Sequence, residues 1–562
     1  MTLSHRLGLF SFLQEETRGL DLKMAVLVAS SGVANAISLA VINASVDALG
    51  KGGPSWQHFA WFALSIVLFV YALRHVLHQS TRIAERAVCN VRVRLADKIR
   101  RCDLLAIETI GGGDIHARIS QDTAAVVQTA RPLFAAAQAV VMILFTLIYI
   151  ALVSPAAMLL CLALIGGGAA IYLKDRRAYE NGLRAASREV DGMSQTLDGL
   201  LRGFKEVRIN SRKGDDVVAE FASRADRVRD IRTEVMILFS NNIVFVELFL
   251  LSLLGAIPFV LPLLTDVFSG SETKIVAAIL FFFGPLGNVV GMIPTLSETN
   301  VSVGNLRALE AQIDAALARS PESESRPTHD LSGFSRLDFA GLRFAYHDAE
   351  GNESFAVGPV DLTLRRGEVL FLVGGNGSGK TTLLKLLTAL YPPQAGTIRL
   401  DGVEIGAGNR QSYRDLFSAI FADFHLFEKL HGLARIDPER VAALLRQMDI
   451  AHKTGFADGQ FTNIRLSTGQ RKRLALVVSY LEDKPIAVFD EVAADQDPPF
   501  RRYFYHTLLP DMKAAGKTVV VVSHDDRYFD AADRVLRMEY GRLVEIAPPT
   551  TPGGAGNDTR GG

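Results

Sequence analysis

Three short stretches in the second half of the chain carry residues suited to phosphate chemistry. The first, "EVLFLVGGNGSGKTTLLKLLTAL" (Glu368–Leu390), reads as an apolar strand, a glycine turn and a helix. It has the spacing G-x-x-x-x-G-K-T at Gly374, Gly379, Lys380 and Thr381. Polyphosphate is held by backbone N–H groups at a helix N-terminus, and the run Gly374, Gly375, Asn376, Gly377, Ser378, Gly379 leaves those groups accessible. Lys380 is placed to reach the β- and γ-phosphates and the Thr381 hydroxyl to ligate magnesium, with Thr382 beside them in the same first turn.

The second stretch, "PIAVFDE" (Pro485–Glu491), is an apolar strand ending in two acids. A carboxylate at the carboxyl end of a strand near a phosphate loop is positioned for magnesium, which assigns Asp490 to the metal. Glu491 next to it is suited to polarise an attacking water. The third, "KTVVVVSHDD" (Lys517–Asp526), ends in His524, whose imidazole can hydrogen-bond the γ-phosphate or that water. Singly, these features are a glycine turn, a solvated strand end and a surface histidine; together they favour one phosphate site. Tyr346, in "FAYHD" upstream, is either an aromatic platform for adenine or a strand tyrosine packing the core.

These strands must be held by a sheet. From about Leu337 short β runs alternate with helical periodicity, which predicts an α/β domain with a largely parallel sheet over residues 336–546. A polar stretch over 320–335, "SPESESRPTHDLSG" and the residues after it, reads as a linker, and the Pro- and Gly-rich tail 547–562 as disordered.

Residues 1–319 have a different character. With 562 residues the chain is too long for one core, and 49% of it is hydrophobic. The apolar residues crowd into six runs: Met24–Val46, Phe59–Leu77, Pro132–Val153, Ala156–Leu173, Val235–Leu264 and Ile275–Leu296. A bilayer is crossed by about 20 such residues, so six spanning helices are predicted. Residues 78–131 and 174–234 are long and basic, whereas the links near Gly50–Gly53, Ser154–Pro155 and Asp266–Glu272 are short and cation-poor. The positive-inside rule then puts the long segments, both termini and the α/β domain in the cytoplasm. The apolar patch Leu7–Leu13 lacks a cleavage-type site, so no signal peptide is read and the first span is expected to direct insertion.

Net charge is zero, from 60 basic and 60 acidic residues. Acids such as Asp191, Asp198 and Glu206 interleave with the cations, which reads as solvated helical faces rather than a nucleic-acid surface. Cys89, Cys102 and Cys161 have neither metal-ligand nor CxxC spacing and form no disulfide framework. Within the spans, Glu247, Asn242 and Asn43 are the cargo candidates. For Glu247, cargo contact, proton coupling and structural pairing stand equal; the asparagines could equally bond helix to helix.

One helix start looks badly made. In "IRLSTGQRKRLAL" (Ile464–Leu476) a Ser–Thr cap is followed by Arg471, Lys472 and Arg473, cations at the positive end of a helix dipole. Either they face water or an anion belongs there. The core of the segment, "LSTGQ", resembles the LSGGQ signature of ABC-type ATPases, with Thr468 in place of a glycine. The phosphate loop, signature, acid pair and His524 follow that family's order. The resemblance implies ATP sandwiched between two such domains, with Ser467, Gly469 and Gln470 of one chain facing the phosphate loop of another.

Six spans followed by one such domain resemble a half-transporter of the ABC exporter class. This implies a homodimer (or a heterodimer) in the bacterial inner membrane, using ATP and Mg2+, with the lipid bilayer as surroundings and no nucleic-acid partner. The strings "GFKEVRIN", "FSAIFADFHLF", "AADQDPPFRRYFYHTLLP" and "SHDDRYFDAADRV" are similar to the cyclic-peptide exporter family. That group exports pyoverdine-type siderophores, syringomycin-type lipopeptides and lasso microcins, so the implied cargo is a peptide-like secondary metabolite. The alternatives are a lipid or lipopeptide flippase, a multidrug exporter, or a non-transporting ABC ATPase. Two departures stand out. Ala494-Asp495-Gln496-Asp497 replaces the usual SALD run, and the position of the magnesium-contacting glutamine holds Ala422, which nominates neighbouring Asp423 as a ligand. Ala106–Asp122 and Leu197–Asn210 resemble the family's coupling helices, or are simple turns between long helices.

Overall fold

The computed structural model describes residues 8–17, 22–49, 53, 55–259, 272–319, 333–348, 350–433 and 435–546. The predicted link 266–271, most of the linker and the tail 547–562 lie outside the described residues. The chain groups into two compact units, Met1–Asp97 with Gly111–Gln312, and Lys98–Ile110 with Ile313–Gly562.

The first half of the chain is helical: α1 (Gly8–Thr17), α2 (Leu22–Leu49), α3 (Trp56–Arg101), α4 (Leu104–Ile110), α5 (Gly112–Ala117), α6 (Thr123–Val153), α7 (Pro155–Arg202), α8 (Phe204–Ile209), α9 (Ser211–Phe259) and α10 (Glu272–Arg319). Among the described residues, α2, α3, α6, α9 and α10 are long and apolar enough to cross a membrane, and α7 opens on a shorter apolar stretch, Pro155–Gly168. At 46 residues α3 is about 69 Å long, more than twice a bilayer's hydrocarbon thickness. The basic segments are therefore largely helical continuations of the spans.

Local chemistry sets the turns between these helices. The Ser154 hydroxyl accepts from the Ala157 N–H and Pro155 occupies the first position of α7, which lets the chain reverse after Val153 without a longer loop. Helix α10 runs unbroken through Pro285 and Pro294. Between helices, buried polar pairs supplement apolar packing: Ser38 with Ser65 at 2.8 Å, and Thr129 with Thr299 at 2.5 Å. Leu39, Ile150, Cys161 and Ile279 share one buried cluster.

The second unit is α/β. Its central sheet contains β3 (Val369–Val373), β6 (Phe417–Ile420), β9 (Ile486–Asp490), β10 (Thr518–Val522), β11 (Arg534–Glu539) and β12 (Arg542–Ile546), in the order β12-β11-β3-β10-β9-β6. All its pairings are parallel except β11 with β12. Every residue of β3, β9 and β10 is buried, as expected of parallel strands covered on both faces. Alternate side chains enter different cores: Phe371 packs on one side and Leu370 and Leu372 on the other. Each large side chain so buried contributes roughly 1.5–3 kcal/mol. A second, antiparallel sheet joins β1 (Arg336–His347), β2 (Glu353–Arg365), β4 (Ala395–Leu400) and β5 (Val403–Glu404). The predicted parallel sheet is present, and this antiparallel sheet is added to it.

Helix α4 belongs to this unit. Leu104 and Leu105 pack on its core, and Lys385 Nζ donates to Glu108 Oε1 at 2.8 Å. The Tyr391 hydroxyl also donates to Glu108, and Arg414 pairs with Asp103 at 3.3 Å.

Candidate nucleotide site

The parallel order places the carboxyl ends of β3, β10, β9 and β6 side by side, and the predicted phosphate chemistry collects there. After β3 the backbone turns sharply. Gly374 has φ 146°, and a Cβ there would stand 2.3 Å from the Met538 carbonyl oxygen, so only glycine fits. Gly379, φ 103°, then starts helix α11 (Lys380–Leu387).

Lys380 curls back over this loop. Its Nζ donates to the carbonyls of Gly374 and Gly375 at 2.9 and 3.0 Å. Burial lowers its pKa, against the opposing pull of Glu491 and Asp490. The Thr381 hydroxyl donates to Asp490 Oδ2 at 2.9 Å, joining the first turn of α11 to the end of β9. Asp490 is 2% exposed. Burial pushes its carboxyl above the usual range, the Thr381 and Ala422 donors oppose this, and the charge of Glu491 adds to it. The Ser378 hydroxyl is buried in the loop without a hydrogen-bond partner among the described residues.

Glu491 adopts a left-handed backbone conformation, φ 53°, uncommon for a residue with a side chain. Its N–H is held by the Val522 carbonyl at 3.2 Å. Its Oε1 lies 2.9 Å from His524 Nε2, so the acids after β9 meet the histidine after β10. A cavity of about 440 Å³ opens beside the pair, lined also by Arg501 and Asp525.

Tyr346 is half-buried, its ring edge-on to Phe344 at 5.1 Å, and its hydroxyl lies 3.2 Å from Thr382 Oγ1. Phe355, opposite it on β2, places its ring edge 3.2 Å from where a Gly379 Cβ would be. Nothing in its local sequence marks that second aromatic. Asp423 is exposed just past β6, next to the Ala422 N–H that binds Asp490.

The signature helix α14 (Thr468–Glu482) begins as expected. Ser467 caps it, its hydroxyl accepting from the Gln470 N–H while the Gln470 Oε1 accepts from the Ser467 N–H. A Cβ on Gly469 would stand 2.8 Å from the Asp495 carbonyl oxygen. No hydrogen bond joins Ser467, Gly469 or Gln470 to the phosphate loop of their own chain among the described residues. Two of the three crowded cations turn away from both water and the helix end. Lys472 and Arg473 are buried, and both reach the loop after Glu491. Lys472 Nζ donates to the Glu491 carbonyl at 2.8 Å and to Asp495 at 2.6 Å. Arg473 donates to Gln496 at 2.9 Å and also pairs with Asp497. Arg471 lies over the Phe424 ring. The residues that depart from the SALD run are thus partners of the signature cations, a pairing with no local signal in the sequence.

In the first unit, Asn43 is buried and its amide donates to the Tyr149 hydroxyl at 2.8 Å, bonding α2 to α6. Asn242 is half-buried. Glu247 projects from an exposed face of α9, with no hydrogen bond or ion pair to any described residue.

A family model described as ABC transporter matches residues 357–494. The ATP-binding protein SyrD of Pseudomonas syringae pv. syringae is 31% identical over 537 residues, covering 92% of each chain. The ATP-dependent lipid A-core flippase of Burkholderia pseudomallei is 30% identical over 289 residues, 49% of this chain and 46% of that one. Among solved structures, that of a bacterial Atm1-family ABC exporter with ATP bound superposes with a TM-score of 0.74 over 93% of both chains, at 19% identity, a likeness of fold.

A helical membrane domain joined to an ATP-binding α/β domain defines a membrane-embedded transport ATPase. The chain belongs to the ABC transporter family and is a half-transporter of the exporter type. It is a multi-pass membrane protein that couples ATP hydrolysis to transport, and its half-exporter architecture implies a dimer.

Proposed function

We propose that this half-transporter works as a homodimer in the bacterial inner membrane and exports a peptide-like secondary metabolite, such as a cyclic peptide or siderophore, from the cytoplasm. The observation that carries the engine is the meeting of Thr381 with Asp490 and of Glu491 with His524 at adjacent strand ends. The cargo class rests on the strings from Gly203 to Asn210 and from Ala493 to Pro510, which are similar to those of cyclic-peptide exporters.

In this reading the loop Gly374–Gly379 and Lys380 bind the polyphosphate of ATP, and Tyr346 supports the adenine. The unpartnered Ser378 hydroxyl and the hard oxygens of Thr381 and Asp490 fit a Mg2+–phosphate group, with Asp423 as a further oxygen. Bound magnesium neutralises charge that develops on the transferred phosphoryl. Glu491 draws a proton from the attacking water, and His524 holds the Glu491 carboxylate in place for it. Ser467, Gly469 and Gln470 of the second chain close over the phosphates. Glu247, Asn242 and Asn43 are the cargo-facing candidates, Glu247 foremost because its charge has no partner among the described residues.

A second reading, lipid or lipopeptide flipping, draws on the half-length similarity to a lipid A-core flippase. Inverted vesicles carrying the purified protein separate the two. Peptide export predicts ATP-dependent accumulation of a labelled cyclic lipopeptide or siderophore, without translocation of labelled lipid A. Lipid translocation without peptide accumulation would refute the peptide reading.

A further inference from the structure

A cavity of about 610 Å³ lies in the first unit, where α1 ends, α2 begins and α3 leaves its apolar run. Its wall on α3 is one stripe. Tyr71, His75, Gln79, Arg82 and Arg86 recur every three or four residues, the spacing of a single helical face. Lys23 faces the cavity from the first turn of α2, and Met24, Leu27 and Ile83 make its apolar wall.

The order along the stripe is chemically graded. Tyr71 lies within the apolar run and stacks on His75 at 6.1 Å, while Arg82 and Arg86 lie about three and four turns further toward the cytoplasmic end. Further along α3, cations are neutralised: Arg94 binds Glu16 and Glu310, and Lys98 binds Asp314. Around the cavity they are not. Lys23, Arg82 and Arg86 make no hydrogen bond or ion pair with any described residue, and no described carboxylate lines the space.

Three permanent cations converging on one space repel one another, and an anion between them offsets that repulsion. Free phosphate would satisfy the cations but leave the Met24–Leu27–Tyr71 wall uncovered. A phosphate carrying acyl chains covers both ends. We propose that this cavity binds an anionic glycerophospholipid of the cytoplasmic leaflet, its phosphate between Lys23, Arg82 and Arg86 and its acyl chain along Tyr71, Met24 and Leu27. The site is independent of what the transporter exports.

Native mass spectrometry of the delipidated full-length protein, titrated with phosphatidylglycerol or phosphatidylcholine, tests this. Phosphatidylglycerol should bind at least tenfold more tightly, and the double variant Arg82→Gln/Arg86→Gln should lose about thirtyfold in affinity for it, the scale of two cations at an anionic surface. Arg82→Lys/Arg86→Lys should retain most of it. Lys23→Gln gives the same readout with a smaller loss, should the double variant fold poorly. Equal affinity for the two lipids, or unchanged affinity in the glutamine variants, would overturn the proposal. So would displacement of the lipid by millimolar inorganic phosphate, which would mark a site for free anions.

Discussion

Asp490 and Glu491 are neighbours in sequence and opposites in environment. Asp490 is buried and fastened to Thr381, while Glu491 turns outward in a left-handed conformation to meet His524. The separation suits the two carboxylates to different tasks, one beside a metal–phosphate group and one beside water. It also has a measurable consequence. Burial raises the Asp490 pKa, so the native state holds that proton more tightly than the unfolded chain, and ionising the group costs stability. Without nucleotide, stability from this group is therefore full at acid pH and declines as pH rises from about 4 through the raised value. Asp490→Asn should flatten that dependence and raise the nucleotide-free unfolding midpoint at neutral pH, while magnesium-dependent hydrolysis is lost. Thermal unfolding followed between pH 4 and 7 checks the sign.

At the scale of elements, two connections tie distant pieces of chain to the site. Helix α14 is latched through Lys472 and Arg473 to the loop that follows Glu491, which ties the signature helix to the Glu491 backbone within one chain. Helix α4 is held on α11 through Glu108, Lys385 and Tyr391, and Tyr391 in turn touches the Tyr346 and Phe344 rings. A rearrangement at the phosphate loop thus has a polar handle on the segment that continues α3. Replacing Glu108 by Ala should lower transport per ATP hydrolysed by on the order of two- to tenfold, the usual size of a coupling term between contacting residues. The exchange Glu108→Lys with Lys385→Glu should recover part of it. Transport and hydrolysis measured on the same vesicles give the ratio. Ala106–Asp122 resembled a coupling helix in the sequence, but the side-chain partners of neither connection were legible there. Glu108 and Lys385 are 277 residues apart, and Lys472 has no local feature that names Asp495 as its partner. The glycine loop, the strand-ending acids and His524 were legible because each depends on a few consecutive residues whose types and backbone conformation are set locally. The cations of "RKR" were misleading for the same reason, since a helix-dipole argument sees only the helix.

At the scale of the molecule, the helical half was legible from its apolar runs, though not the length of the helices, because the charged extensions of α3, α7 and α9 carry no hydropathy signal. Each chain carries one phosphate loop and one signature, and Ser467, Gly469 and Gln470 have no hydrogen bond to their own phosphate loop among the described residues. In the proposed function a second chain completes the site. In the proposed mechanism two chains enclose ATP, and Glu491 of each acts on the water that attacks it. ATP turnover and nucleotide retention by the Glu491→Gln protein, reconstituted in vesicles, test that claim most directly. The expected result is a loss of hydrolysis of at least about a hundredfold, with ATP retained in a stable two-chain complex. Undiminished hydrolysis, or retention of ATP only by separated single chains, would contradict it.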